Sequence, residues 1–183
     1  VGTSDGLFKS EDAGVTWENK RTGYISDFKL KPGDPNTVYA VDNEHIGGVG
    51  SFVIYYKTTN GSDFSRMESD ILPTSAGPVV LAVTPANPDL LYILAAGTFD
   101  ENRFTYEGFY RSDDSGESFS RSPNSENLME SSQAWFDLAL EVSPTNADEV
   151  YMGCLNIWKS INGGDSWTQL NQWFNNNEAY VHA

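Results

Sequence analysis

A polar turn motif recurs along the chain about every fifty residues, and no other feature restricts the fold as much. "KSEDAGVTW" occupies 9–17, "RSDDSGESF" 111–119 and "KSINGGDSW" 159–167, each fitting Ser-x-Asp/Asn-x-Gly-x-Ser/Thr-aromatic. A copy shorter by one residue, "KTTNGSDF", occupies 57–64. The third polar positions, Asp12, Asn60, Asp114 and Asn162, lie 48, 54 and 48 residues apart. A second pattern interleaves with the first: "FKLKPGDPNTVYAV" (28–41), "LAVTPANPDLLYIL" (81–94) and "LEVSPTNADEVYMG" (140–153). Pro32, Pro85 and Pro144 are 53 and 59 residues apart, and Tyr39, Tyr92 and Tyr151 keep the same two spacings. Two independent markers with one period establish internal repeats.

Each unit reads as four short strands. They are an alternating strand ending at the proline, a strand opening at the tyrosine, a strand such as "GLFKS" or "NIWKS", and a strand after the polar motif. Alternation and β-branched or aromatic residues support strands, and Gly, Pro, Asn and Asp between them support turns. No stretch has helical period. Four-stranded units repeating at about fifty residues are β-propeller blades. The expected fold is therefore all-β, a partial propeller of four-stranded antiparallel blades. The units fall at approximately 1–20, 21–68, 69–123 and 124–171, with 172–183 opening a further blade. Val1 is not Met, and "EAYVHA" has the look of a first strand, so the chain is expected to continue on at least its C-terminal side.

The polar motif sits between the third and fourth strands and suits a hairpin turn. Asp or Asn accepts backbone N–H groups, Ser and Thr hydroxyls bond locally, and Gly allows positive φ. The turn residues are Ser10, Asp12, Gly14, Thr16 and Trp17; Ser112, Asp114, Gly116, Ser118 and Phe119; and Ser160, Asn162, Gly164, Ser166 and Trp167. The closing aromatics are expected to pack between sheets. A calcium loop of EF-hand type needs several acidic ligands and a bidentate Glu at the twelfth position. Asn replaces Asp in two copies and no such Glu follows, so the acids are read as architecture and no metal or cofactor is expected.

Composition narrows the partners. Eleven Lys and Arg against twenty-six Asp and Glu give a formal charge of −15, which argues against nucleic-acid phosphates. No apolar run reaches the length of a transmembrane helix. The single cysteine, Cys154, lies in "VYMGCLNIW" and reads as a buried core thiol.

The Ser-x-Asp-x-Gly-x-Thr-Trp pattern resembles the Asp-box, or BNR repeat, of sialidase-like and sortilin-like propellers. Three good copies and one poor one, with the proline–tyrosine units, cover nearly the whole chain. That family includes sialidases, xyloglucan hydrolases, photosystem assembly factors and sorting receptors, so the resemblance implies a fold more than a function. The C-terminal third looks most like large secreted bacterial BNR proteins of type IX secretion. The resemblance thus implies an extracellular or cell-surface location.

Propeller topology puts the motif turns and the proline turns on one face, and these are uniform. The opposite face carries variable loops, which is where function usually sits. The expected ligand-binding residues there are Phe104, Tyr106, Trp135, Asp137, Trp173 and Tyr180, because rings stack on sugar faces and acids accept their hydroxyls. An apolar groove on the motif-turn face would sink this assignment. Glycosidases need two carboxylates about 5–10 Å apart, or a tyrosine nucleophile in sialidases. No arginine triad or acid pair carries over from the resemblance, and His45 and His182 lack metal-ligand spacing. The reading favoured is a secreted scaffold binding a glycan or protein. The alternatives are a glycoside hydrolase with its site partly in other blades, and a sortilin-like peptide receptor binding inside the tunnel.

Overall fold

The computed structural model describes residues 1–43, 51–98, 104–129 and 133–172. They form four antiparallel sheets following one another along the chain. The first contains β1 (Gly2–Thr3), β2 (Gly6–Lys9) and β3 (Glu18–Arg21). The second contains β4 (Ile25–Lys31), β5 (Asp34–Asn43), β6 (Ser51–Thr58) and β7 (Ser65–Arg66), and β8 (Ser75–Ala76) pairs with the start of β6. The third contains β9 (Val79–Thr84), β10 (Asn87–Ala96), β11 (Tyr106–Ser112) and β12 (Ser120–Arg121). One helical turn, α1 (Ala134–Asp137), precedes the fourth sheet. That sheet contains β13 (Ala139–Val142), β14 (Val150–Gly153), β15 (Ile157–Ser160) and β16 (Thr168–Gln169). Neighbours along the chain are neighbours in each sheet, and the inner strands pack in series, β1 on β4, β4 on β9 and β9 on β13. This is the meander of a partial β-propeller.

Three details differ from the sequence reading. No helical stretch was expected, yet α1 runs to Asp137 with Ala134 anchored in the core, and the fourth unit's first strand starts only at Ala139. The outer strands β7, β12 and β16 are only two residues long, since "SR", "SR" and "TQ" have little apolar surface to bury. The first sheet also has a short β1, with Gly2 opposite Leu7 and Thr3 opposite Gly6.

β10 shows how the sheets stack. Leu90 to Ala96 are all buried, with no polar alternation, because a sheet covers each face of the third one. Period two still sorts them. Leu91, Ile93 and Ala95 join Tyr39, Val41 and Leu81 against the second sheet, whereas Leu90, Tyr92 and Leu94 join Phe109, Leu140 and Met152 against the fourth. Charged residues tie the sheets together at the turn end. Lys31 donates to Asp89 (2.6 Å) and Ser115 (2.7 Å), Lys57 pairs with Glu117, and Arg111 donates to Asp148 (2.8 Å). Asp27 accepts the backbone N–H of Leu81 at 2.7 Å, joining the inner strands of the second and third sheets.

The motif turns share one hydrogen-bond scheme. Ser112 Oγ donates to Asp114 Oδ1 at 2.8 Å and accepts the Gly116 N–H at 2.8 Å. Asp114 Oδ1 also accepts the Ser118 N–H (2.9 Å), and Oδ2 accepts the Ser118 hydroxyl (2.6 Å). Asn162 repeats this, with its Nδ2 donating to Ser166 Oγ at 3.0 Å. In the shorter turn Asn60 Oδ1 accepts the N–H groups of Ser62 and Asp63, so losing one residue preserves the design. These bonds hold Asp12 and Asp114 at a pKa of about 2, with the Thr16 and Ser118 hydroxyls the largest causes. A carboxyl depressed below its ordinary 3.8 stabilises the fold above that value, and the contribution is lost as pH falls through about 2. Thermal midpoints should accordingly drop between about pH 4 and pH 2. Asp12→Asn with Asp114→Asn should flatten that drop and leave the midpoint at pH 7 nearly unchanged, because Asn162 already fills the same role. Asp114→Ala, lacking every acceptor, should lower the pH 7 midpoint. An unchanged acid profile in the double Asn variant would overturn this assignment.

Candidate functional site

The expected binding residues on the crossover face do not act as a group. Phe104 is 1% exposed and packs in the core beside Leu94 and Phe109, so the expectation of a displayed ring is corrected there. Tyr106 is half-buried against the same core. Burial pushes its hydroxyl up to about 12, and its backbone N–H donates to Asn127 Oδ1 at 2.9 Å. Trp135 differs: α1 holds its ring 59% exposed. Asp137, two residues on, is half-buried. Its Oδ1 lies 3.1 Å from Cys154 Sγ, and its buried Oδ2 has no hydrogen-bond partner. Cys154 itself is 1% exposed within the core. Trp173 and Tyr180 lie outside the described residues, as do His45 and His182. This face also carries a recess of about 40 Å³ between β6 and the following crossover, lined by Tyr55, Met67 and Leu72.

A larger concavity lies at the motif-turn end, between the first and second sheets. It encloses about 280 Å³ and is walled by Leu7, Phe28, Val38 and Phe64, with Gly61 at one side. Trp17 and Leu30, 49% and 50% exposed, stand at its mouth with Lys9 and Lys20. This concavity is on the face opposite the crossover loops, and Val1 forms part of its wall. At the second-to-third and third-to-fourth junctions Tyr39 and Tyr92, both 0% exposed, fill the corresponding space. In the first sheet the matching position, opposite Lys9, precedes Val1.

The closing aromatics report the same difference. Phe119 is buried between the second and third sheets, and Trp167 meets Phe109 edge-on at 5.3 Å. Phe64 packs against the small core shared by the first two sheets. Trp17 has no sheet in front of it among the described residues, and its indole N–H donates back to Gly14 O at 3.1 Å. Leu7, Phe28, Leu30 and Val38 were missed as site residues because each fits ordinary strand alternation.

The acids of the inner strands are differently placed. Asp27 is paired with Lys29 at 3.0 Å and holds the Leu81 N–H, whereas Glu141 on β13 is exposed. Among the described residues no helix is long and apolar enough to cross a membrane.

No protein-family model and no curated protein sequence matches the chain. Solved structures do. The GH74 enzyme of Niastella koreensis superposes with a TM-score of 0.64 at 18% identity, over 93% of this chain and 27% of that one. An ancestral GH74 enzyme gives 0.61 at 20% identity, over 92% and 22%. YCF48 from Cyanidioschyzon merolae gives 0.52 at 17% identity, over 80% and 36%. The chain thus spans between about a fifth and a third of the proteins it resembles, and likeness at these identities is likeness of fold, a β-propeller.

Proposed function

We propose that the chain is part of an Asp-box β-propeller, exported to the cell surface or beyond, that works as an interaction scaffold and binds a glycan or protein partner. Its four repeat units are read as blades, with further blades of the same chain as neighbours. The observation that carries the reading is Trp135, which α1 holds 59% exposed on the face of variable loops.

A glycan is the partner class that Trp135 favours, since an exposed indole on a fixed turn suits the apolar face of a sugar ring. GH74 enzymes share this fold, and the intact protein tests the catalytic form of that reading. It should be incubated with a polysaccharide panel while bound protein and released reducing ends are recorded together. Binding without release, lost at least tenfold in Trp135→Ala, is the result expected of a glycan-binding crossover face. Release of sugar would make the protein a hydrolase and overturn the scaffold reading. Binding unchanged by Trp135→Ala would remove the crossover face from the account. Binding of every polysaccharide at background level would overturn the glycan form of the reading in favour of a protein partner.

A further inference from the structure

We propose that Asn60 is a self-modification site, where the side chain closes onto the backbone nitrogen of Gly61 and reopens as aspartate or isoaspartate. Asn162, in the same dipeptide of the last motif turn, is held unreactive. The chain has two Asn-Gly pairs, Asn60-Gly61 and Asn162-Gly163, and both glycines have positive φ, +73° and +68°. A glycine has no Cβ to shield its nitrogen from the preceding side chain. Reaction also needs an N–H not committed elsewhere, an amide folded over it and a polarised amide carbonyl. Gly163 fails the first condition. Its N–H donates to Asp148 O at 2.9 Å, as the Ser115 N–H does to Asp89 O at 2.7 Å in the third sheet's turn. Asn36 is the matching residue of the second sheet, and the Gly61 N–H makes no hydrogen bond to it or to any other described residue.

The side chains differ as well. Asn162 Oδ1 accepts the Ser160 hydroxyl at 2.8 Å and the Ser166 N–H, four residues on, at 3.1 Å, so it reaches past Gly163. Asn60 Oδ1 accepts the N–H groups of Ser62 at 3.0 Å and Asp63 at 2.8 Å, which folds its amide back over the Gly61 peptide. The Thr58 hydroxyl donates to the same oxygen at 3.0 Å. Three donors on Oδ1 stabilise the negative charge that gathers there as the nitrogen attacks. Asn60 is exposed, so water reaches it. A solvent base takes the Gly61 N–H proton, the nitrogen bonds to Asn60 Cγ, and Nδ2 takes a proton from water and leaves as ammonia. Water then opens the five-membered ring. Breaking the bond to Cγ gives aspartate, and breaking the bond to the main-chain carbonyl gives isoaspartate. Water is the only co-reactant. The product suits this turn poorly. Asn60 Nδ2 donates to Asp63 Oδ2 at 2.7 Å, so an aspartate at 60 sets two carboxylates against each other. Asp12 and Asp114 face the hydroxyls of Thr16 and Ser118 instead.

The test is a timed incubation of the 183-residue protein in neutral and mildly alkaline buffer, both folded and in urea, followed by digestion and peptide mass spectrometry. The peptides carrying Asn60 and Asn162 are each scored for the gain of one mass unit, and isoaspartate is scored by enzymatic methylation. In the folded protein Asn60 should convert at least tenfold faster than Asn162, and faster at the higher pH, because Gly61 must lose its proton. In urea the two should convert at similar rates. As a second measurement, Asn60→Asp should lower the thermal midpoint at pH 7 by a few degrees, and adding Asp63→Asn should restore most of the loss. Equal rates at the two residues in the folded protein, or faster conversion of Asn162, would overturn the proposal. A rate difference that persists in urea would overturn the role given to the folded turn. An unchanged midpoint in Asn60→Asp would overturn the clash with Asp63.

Discussion

Gly164→Val should destabilise the protein by about 3 kcal/mol, adding a left-handed backbone cost of about 1–2 kcal/mol to an overpacking cost of about 1–3. Gly164 has φ +92°, and a Cβ there would lie 2.2 Å from the Phe109 ring. Phe109 cannot yield, because it is fully buried between Tyr92, 5.0 Å away, and Trp167. For a domain of this size the midpoint should fall by roughly 6–12 °C. The corresponding glycine of the first turn is the control. Gly14 has φ +91°, but a Cβ there would meet only the Trp17 ring, at 3.6 Å. Gly14→Val should therefore show the backbone part alone, about 1–2 kcal/mol. Thermal unfolding of both variants, followed by circular dichroism, separates the two parts. Equal losses would show that the turn's backbone, not its seat on the preceding sheet, sets the stability.

Tyr92→Ala should cost about 3–5 kcal/mol, the usual range for removing a large buried aromatic ring. Tyr92 is 0% exposed, its hydroxyl donates to Ala147 O at 3.1 Å, and Arg111 donates to that hydroxyl at 3.2 Å. Its removal opens a cavity between the third and fourth sheets and frees the Arg111 latch at one point. Tyr151 occupies the same repeat position yet is half-buried, with its hydroxyl donating to Glu149 at 2.6 Å. Tyr151→Ala should cost less than about 1.5 kcal/mol, since water can fill the space it leaves. Denaturant unfolding of the two variants at pH 7 tests the contrast. A Tyr151→Ala loss as large as that of Tyr92→Ala would mean that the outer face of the fourth sheet is covered.

The repeat made much of the fold legible. Asp12, Asn60, Asp114 and Asn162 fall at matching points of their turns because the turn is local. Every partner of the acid or amide lies within about four residues, so sequence spacing and hydrogen bonding carry the same information. Strand period splits 90–95 into two sets, since it is fixed by backbone geometry, but with no polar alternation only the packing shows which set faces which sheet.

The candidate site was less legible. Phe104 and Trp135 both looked like displayed aromatics in variable loops, and one is buried while the other is exposed. A ring's exposure depends on what the chain folds over it, here Gly77 and the core around Phe109, and no local pattern records that. The cleft was invisible for a related reason. Leu7, Phe28, Val38 and Phe64 carry normal strand chemistry, so nothing local marks them as walls of a concavity.

The sequence by itself determined the all-β repeat, the strand order within each unit and the hydrogen-bonded turns, because these depend on residues close together in the chain. Only the tertiary structure decided which apolar residues stay uncovered. Burial is set by the sheet on either side, and among the described residues no sheet lies in front of the first turn or over the fourth sheet's Tyr151.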